Sequence, residues 1–235
     1  MRVKVGTSGY SYAAWKGSFY PEGLKDADRL RHYAGIFPAV EINNTFYRMP
    51  QAAMLERWAG ETPAGFSFIL KASRRITHEK RLADGDSLAY FMKTAGVLGD
   101  KLGPVLFQLP PFFKKDVQRL RDFLAQIPEG RRAAFEFRHP TWFDDEVLDA
   151  LRARGAALCL ADTDEAPDPS LVATADWGYL RLRRADYAGA ALDIWAGRIR
   201  AQPWTEAYAF FKHEEEGKGP ALALRLIETL AALRT

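Results

Sequence analysis

The stretch Ala133-Ala134-Phe135-Glu136-Phe137-Arg138 decides how the rest of the chain is read. It alternates strictly, so as a strand it sends Phe135 and Phe137 to one face and Glu136 and Arg138 to the other. Seven more β-rich runs stand near 3–7, 39–43, 66–71, 104–109, 156–161, 179–182 and 207–211. The eight runs begin about 29 residues apart, the repeat of a strand followed by a helix. Helical patterns occupy the gaps. Residues 116–127 place Val117, Leu120, Phe123, Leu124 and Ile127 on one face, and 141–154 run from acidic residues to arginines with Gly155 as a stop. A last helix is predicted to begin at Pro220. The reading is an α/β fold, a single (β/α)₈ barrel over residues 1–235. A doubly wound open sheet is the competitor, and it usually needs fewer strands and a Gly-rich first turn.

A parallel barrel packs its outward strand faces on helices, so those faces must be apolar, and polar residues near the strand ends can point inward at a ligand. Parity then assigns the interior. The apolar alternation sends Glu41 and Asn43 inward from the second strand, Lys71 from the third, Gln108 from the fourth, Glu136 and Arg138 from the fifth, and Arg181 and Arg183 from the seventh. Asp162, which follows the sixth strand, is added to this set. Buried charges are costly unless paired, so the set is either a salt-bridge network or a ligand site. A carboxylate lacking a cation would be raised towards neutrality, where it serves as general acid or base.

Composition bounds the remaining classes. The chain has 33 Lys+Arg against 30 Asp+Glu, a formal charge of +3, and 48% hydrophobic residues, which excludes disordered and collagen-like proteins. A chain of this mass should expose roughly 10,600 Å² when folded and bury about 70% of its surface, so no disulfide or metal staple is needed. Cys159, the only cysteine, lies in the apolar run 157–161, where a buried inert thiol is the expectation. No apolar run is long enough to span a bilayer, and the first residues alternate at once without a secretory signal, so a cytoplasmic location without membrane partners is expected. Gly6-Thr7-Ser8-Gly9 lacks dinucleotide spacing, and Walker A, H-E-x-x-H, paired C-x-x-C and G-x-S-x-G motifs are missing. No cofactor is called for, and no metal ligand is assigned.

The predicted mouth loops add candidates. The segment after the first strand carries Tyr10, Tyr12, Trp15, Phe19 and Tyr20, which either stack on a ligand or plug the barrel end. Arg74, Arg75, His78, Lys80 and Arg81 follow Lys71 with only Glu79 opposing, as an anion-attracting or merely solvated loop. Gly217 and Gly219 before the last helix permit phosphate binding or form a plain turn. Trp58, Trp177, Trp195 and Trp204 are assigned to helix and loop packing.

Several ordered motifs resemble one family closely. Gly6-Thr7-Ser8-Gly9-Tyr10 with Trp15 and Phe19-Tyr20-Pro21 is followed by Glu41-Ile42-Asn43-Asn44-Thr45-Phe46-Tyr47, Phe107-Gln108-Leu109-Pro110-Pro111 and Glu136-Phe137-Arg138-His139-Pro140-Thr141-Trp142. Together they resemble the YecE-like proteins, a family catalogued as domain of unknown function 72. The resemblance implies a TIM barrel with a pocket at the strand C-terminal ends, and matching polar residues at Glu41, Asn43, Thr45, Gln108, Glu136, Arg138, His139, Asp162 and Arg181. The chain departs from the family's usual Arg-x-His-Gly with Arg181-Leu182-Arg183-Arg184, and from a common Asn pair with Lys212-His213.

The leading expectation is an enzyme acting on a small polar or anionic substrate. Its catalytic candidates are Glu136, Glu41, Asp162 and His139, and its substrate-binding candidates are Asn43, Thr45, Lys71, Gln108, Arg138, Arg181, Tyr10 and Trp15. A metal-dependent hydrolase or isomerase using Glu41, Glu136, Asp162 and His139 or His213 is one alternative, opposed by the crowd of cations. A nucleic-acid binder using the 74–81 loop and the first loop's aromatic residues is the other.

Overall fold

Helices and parallel strands alternate along residues 1–233, the part of the chain that the computed structural model describes. The strands are β1 (Arg2–Thr7), β2 (Ala39–Ile42), β3 (Ser67–Leu70), β4 (Val105–Gln108), β5 (Ala133–Glu136), β6 (Ala157–Asp162), β7 (Trp177–Leu182) and β8 (Glu206–Phe211). The helices are α1 (Arg29–Ala34), α2 (Asn44–Tyr47), α3 (Ala52–Glu61), α4 (Gly85–Ala95), α5 (Val117–Gln126), α6 (Asp145–Ala153), α7 (Ala191–Arg200) and α8 (Lys218–Ala232). The exposed surface is 10931 Å², close to the value expected from mass.

A six-strand ladder runs β1-β8-β7-β6-β5-β4, and β2 pairs with β3. The two pieces close on each other through backbone bonds. Gly9 N donates to Glu41 O at 2.7 Å, and Ala72 N donates to Leu106 O at 2.8 Å. The result is a single (β/α)₈-type barrel, as the strand spacing implied. One crossover differs from expectation: among the described residues, 163–176 between β6 and β7 contain no helix. Pro167 and Pro169 lie in that segment, and proline interrupts the helical hydrogen-bond ladder.

Parity sorts the core as read from the sequence. Val40, Phe68, Leu70, Val105, Phe107, Phe135, Leu158, Leu160, Leu180 and Leu182 belong to the cluster packed under the helices. Ala39, Ile69, Leu106, Ala134, Ala157, Cys159, Trp177, Tyr179, Tyr208 and Phe210 form a second cluster inside the barrel. Trp177 is therefore interior, not helix packing, because β7 starts two residues earlier than the apolar run 179–182 suggested. The last helix likewise starts at Lys218, ahead of Pro220, with Gly217 at φ 76 before it. Burial pushes the Cys159 thiol well above its ordinary range, in keeping with an inert core role.

The β1–β2 seam shows why Gly6 is glycine. Tyr33 places its hydroxyl between the splayed strands, accepting from Thr7 N at 2.8 Å and donating to Ala39 O at 3.1 Å. This satisfies two backbone groups that the ladder leaves open. A Cβ on Gly6 would stand 2.1 Å from Ala39 O and 2.9 Å from the Tyr33 hydroxyl. Gly6→Ala is expected to destabilise the fold by about 1–3 kcal/mol, read as a lower urea midpoint with unchanged slope.

Candidate functional site

Arg181 is the centre of the barrel's upper interior. It is 1% exposed and lies between two carboxylates that are themselves buried. Its Nε and Nη2 donate to the two oxygens of Glu41 at 3.0 and 2.8 Å, and its Nη1 donates to Glu136 Oε2 at 2.6 Å. Glu41 also accepts from Tyr179 OH and Ser8 Oγ, both at 2.7 Å, and from Asn43 Nδ2 at 3.4 Å. Five donors therefore fill the Glu41 carboxylate. Burial works to raise both acids and is the largest single influence, but Arg181 together with Ser8 and Tyr179 at Glu41, and with Arg138 and Arg183 at Glu136, outweighs it, so Glu41 is lowered and Glu136 is held at about 2. Both are ionised at neutral pH, and neither has a proton to donate.

The network continues outward through Gln108. Its Nε2 donates to Glu136 Oε1 at 2.7 Å, and its Oε1 accepts from Lys71 Nζ at 2.8 Å. Arg138 reaches the same Glu136 oxygen at 3.2 Å. Lys71 Nζ lies 4.1 Å from the centre of the Phe46 ring. Burial first, then Arg181, lowers the Lys71 ammonium to about 8.

Above this layer opens a cavity of about 350 Å³ lined by Phe46, Tyr47, Lys71, Arg74, His78, Gln108, Arg138, Arg181, Arg183 and Lys212. Six of those ten residues are cations and none is a carboxylate. Four of the cations have ion-pair partners: Arg181 with the two glutamates, Arg138 with Glu136, Arg74 with Glu79 and Lys212 with Glu214. Among the described residues, Lys71 and Arg183 have no ion pair, and the Arg183 side chain has no hydrogen bond. Burial and the neighbouring Arg181 lower Arg183 from its ordinary value. His78 is also lowered, to about 4, by burial and then by Lys71, Arg138 and Arg74, so it is neutral at pH 7.

A second cavity of about 760 Å³ adjoins the first beside the helix-free crossover, with Arg138 and Arg183 in both walls. Glu136, Phe137, Phe143, Leu160, Thr163, Asp164 and Glu165 are among its lining. Glu136 thus borders open space, whereas Glu41 lines neither cavity.

Other candidates lie elsewhere. Asp162 shares the outward parity of Leu158 and Leu160 and joins a different network, accepting from Arg184 Nε, Asp168 N and Tyr187 OH at 2.9 Å and from Trp195 Nε1 at 3.1 Å. It ties the loops after β6 and β7 to α7. His139 caps the short helical turn Pro140–Trp142, its Nδ1 accepting from Thr141 N at 3.2 Å. Thr45 is buried and donates to Lys71 O at 2.7 Å, fixing the end of β3. Trp15 is fully buried among Tyr12, Phe19 and Tyr20, and Tyr10 packs on Tyr33 and Trp58, because apolar ring area is best removed from water. The first loop therefore plugs the barrel flank, and neither ring lines the cationic cavity. Ser18 of that loop lies over Gly217, where an added Cβ would meet its Oγ at 2.6 Å, so the turn before α8 is occupied by the chain itself.

The metal reading loses its donors by the same geometry. His213 donates Nε2 to Arg184 O at 2.6 Å, and Asp162, His139 and the two glutamates are each committed as described. Among the described residues no group of three or more His, Cys, Asp or Glu side chains converges as a metal site.

Sequence reasoning named His78 only within the basic loop after the third strand, and missed Phe46 and Tyr179 as members of the site. Tyr179 was legible, since it shares inward parity with Arg181. His78 and Phe46 come from turns after β3 and β2, whose paths no periodicity reveals.

Fold and site define a parallel barrel with a cation-lined cavity at the carboxyl ends of its strands. The chain belongs to the family described as protein of unknown function DUF72, whose model matches residues 4–235. It is 27% identical over 219 residues to the UPF0759 protein YunF of Bacillus subtilis (strain 168), covering 85% of this chain and 75% of that one. A crystal structure of a DUF72 family protein from Thermotoga maritima MSB8 superposes with TM-score 0.86 at 26% identity, covering 98% and 100% of the two chains. A DUF72 family protein from Enterococcus faecalis V583 gives TM-score 0.81 at 17% identity over 97% and 95%, a likeness of fold.

Arg181→Met would leave Glu41 and Glu136 buried without their shared cation, and is expected to cost about 3–5 kcal/mol in urea unfolding. The acid limb follows from Glu136. Its folded value is depressed, so its contribution is present above the ordinary 4.5 and is lost as pH falls towards 2. Wild-type melting temperature should drop more across that window than that of Glu136→Gln.

Proposed function

We propose that the protein is an enzyme acting on a small anionic substrate held in the cation-lined cavity. The supporting observation is the unpaired Arg183 guanidinium in a wall that also carries Lys71, Arg138 and Arg181. A network built for stability would give each buried cation a carboxylate, because an uncompensated buried charge is destabilising. Buried Lys71 and half-buried Arg183, both left without one, match a ligand that brings the missing negative charge. The volume, about 350 Å³, is that of a small-molecule site, and the position at the strand carboxyl ends is where barrel enzymes place their chemistry.

The residues then take distinct parts. Arg183, Arg138 and Lys71 bind the anion. Glu136 and Glu41 hold Arg181 and, through Gln108, set the position of Lys71. With both acids ionised, the group whose titration falls nearest neutrality on this wall is Lys71.

Sulfate, a dianion throughout neutral and alkaline pH, tests the reading. It should raise the melting temperature more than chloride at equal ionic strength. Arg183→Ala should weaken sulfate binding roughly tenfold, about 1.4 kcal/mol, while raising the melting temperature of the unliganded protein. Equal effects of sulfate and chloride, with no change in the variant, would overturn it. Because protonated Lys71 binds the anion, wild-type affinity should fall as pH rises through about 8, and Lys71→Arg should flatten that dependence over the same range.

A further inference from the structure

Lys71 is held in a way that charge alone does not explain. Its backbone is fixed on both sides, with Lys71 N donating to Ile42 O at 3.0 Å and Lys71 O accepting from Thr45 Oγ1 at 2.7 Å. Its Nζ makes one hydrogen bond, to Gln108 Oε1 at 2.8 Å. The amide's orientation is set, because Gln108 Nε2 is used on Glu136. The aromatic face of Phe46 covers one side at 4.1 Å, and the residue lines the cavity. A lysine kept only for its charge would be expected beside a carboxylate. Here the acceptor is a neutral amide, which can hold an amine as well as an ammonium and leaves the nitrogen lone pair free.

We propose that Lys71 is a nucleophile that forms an imine with the carbonyl carbon of an anionic aldehyde or ketone, the anionic group lying against Arg183 and Arg138. This rests on the anion-binding reading above and names the substrate class for it. Neutral Nζ attacks the carbonyl carbon, forming a C–N bond as the carbonyl π pair moves to oxygen. A proton passes from nitrogen to oxygen, giving the carbinolamine. The C–O bond then breaks as the nitrogen lone pair forms C=N, the oxygen leaving as water with the remaining N–H proton; the imine so formed becomes the iminium by taking one proton from solvent. The balance is amine plus carbonyl to imine plus water, with no oxidant or reductant.

The surroundings supply what such a step needs. Desolvation beside other cations is a recognised means of keeping a lysine unprotonated. With Lys71 at about 8, roughly a tenth is free amine at pH 7, against about one in three thousand for an ordinary lysine. Neutral His78 lines the same cavity, so it adds no further positive charge there. Arg138, one of the two guanidiniums that depress Lys71, is also one of the two that would bind the substrate's anion, so that charge serves both purposes.

The test is reductive trapping. The folded protein is incubated at pH 7 with pyridoxal 5′-phosphate, an anionic aldehyde, or with pyridoxal, which lacks the phosphate, then treated with cyanoborohydride and mapped by peptide mass spectrometry. Sulfate binding is measured on the same preparations. The expected result is a reduced adduct on Lys71 at least tenfold faster than on exposed Lys80 or Lys114. It should be slower with pyridoxal, suppressed by excess sulfate and absent in Lys71→Arg, while that variant still binds sulfate. Sulfate binding without a preferred adduct on Lys71 would overturn the imine and leave the anion site standing. Adducts spread evenly over surface lysines would overturn it equally. Loss of both sulfate binding and labelling in the wild-type protein would remove the anion reading with it.

Discussion

Everything above the barrel's apolar floor depends on a guanidinium enclosed between two carboxylates. Arg181 cannot give up its proton, so Glu41 and Glu136 cannot usefully take one, and the three ions fix one another's state as well as their position. Burying three charges is expensive, and good geometry only offsets that expense. Here the geometry is good: Glu41 receives a two-pronged contact from Arg181 along with tyrosine, serine and asparagine donors. The triad carries one net negative charge, which Arg138 answers from above. Further cations can then crowd the mouth without a carboxylate of their own facing the cavity.

The stacking of functions by depth follows from this. The innermost ring is apolar and shapes the floor. The middle ring of Glu41, Glu136, Gln108 and Arg181 is saturated with internal bonds and acts as scaffold. Only the outer ring, where Lys71 and Arg183 sit, retains unspent capacity. Carboxylates that look catalytic in sequence because they are acidic and interior are thus the wrong places to seek a proton donor. Their pairing is too good. The proposed reading places the reactive group where pairing is incomplete.

How much of this was legible in the chain can be judged residue by residue. Alternation around Phe135 and Phe137 placed Glu136 and Arg138 correctly, and the same rule placed Glu41, Lys71, Gln108 and Arg181, because one-residue slips would have turned apolar side chains into the barrel's wet end. Asp162 failed for want of applying that rule: Leu158 and Leu160 put it on the helix side, where Arg184, Tyr187 and Trp195 meet it. Tyr10 and Trp15 failed for a different reason. Aromatic content in a long loop does not say which side of the loop faces the core, and burial of ring area decided it. The missing helix after β6 was visible as two prolines within three residues, yet strand spacing overrode them. The positions of Phe46 and His78 depended on turns whose paths only tertiary packing determines.

The distribution of pairing bears on the choice between a stabilising network and a ligand site. In a purely stabilising network each added cation should bring a carboxylate within reach, and removing a cation should leave an acid stranded. That describes Arg181 and Arg138. It does not describe Arg183, which raises the local positive potential, is itself lowered by burial and by Arg181, and has no side-chain hydrogen bond among the described residues. It stands two residues beyond Arg181 on the same inward line, in the wall shared by both cavities. An unpaired guanidinium and an unpaired lysine, brought from strands on different sides of one opening, work against stability when the site is empty. On the proposed reading, such an arrangement is one half of an electrostatic pair, and an anionic ligand would supply the other.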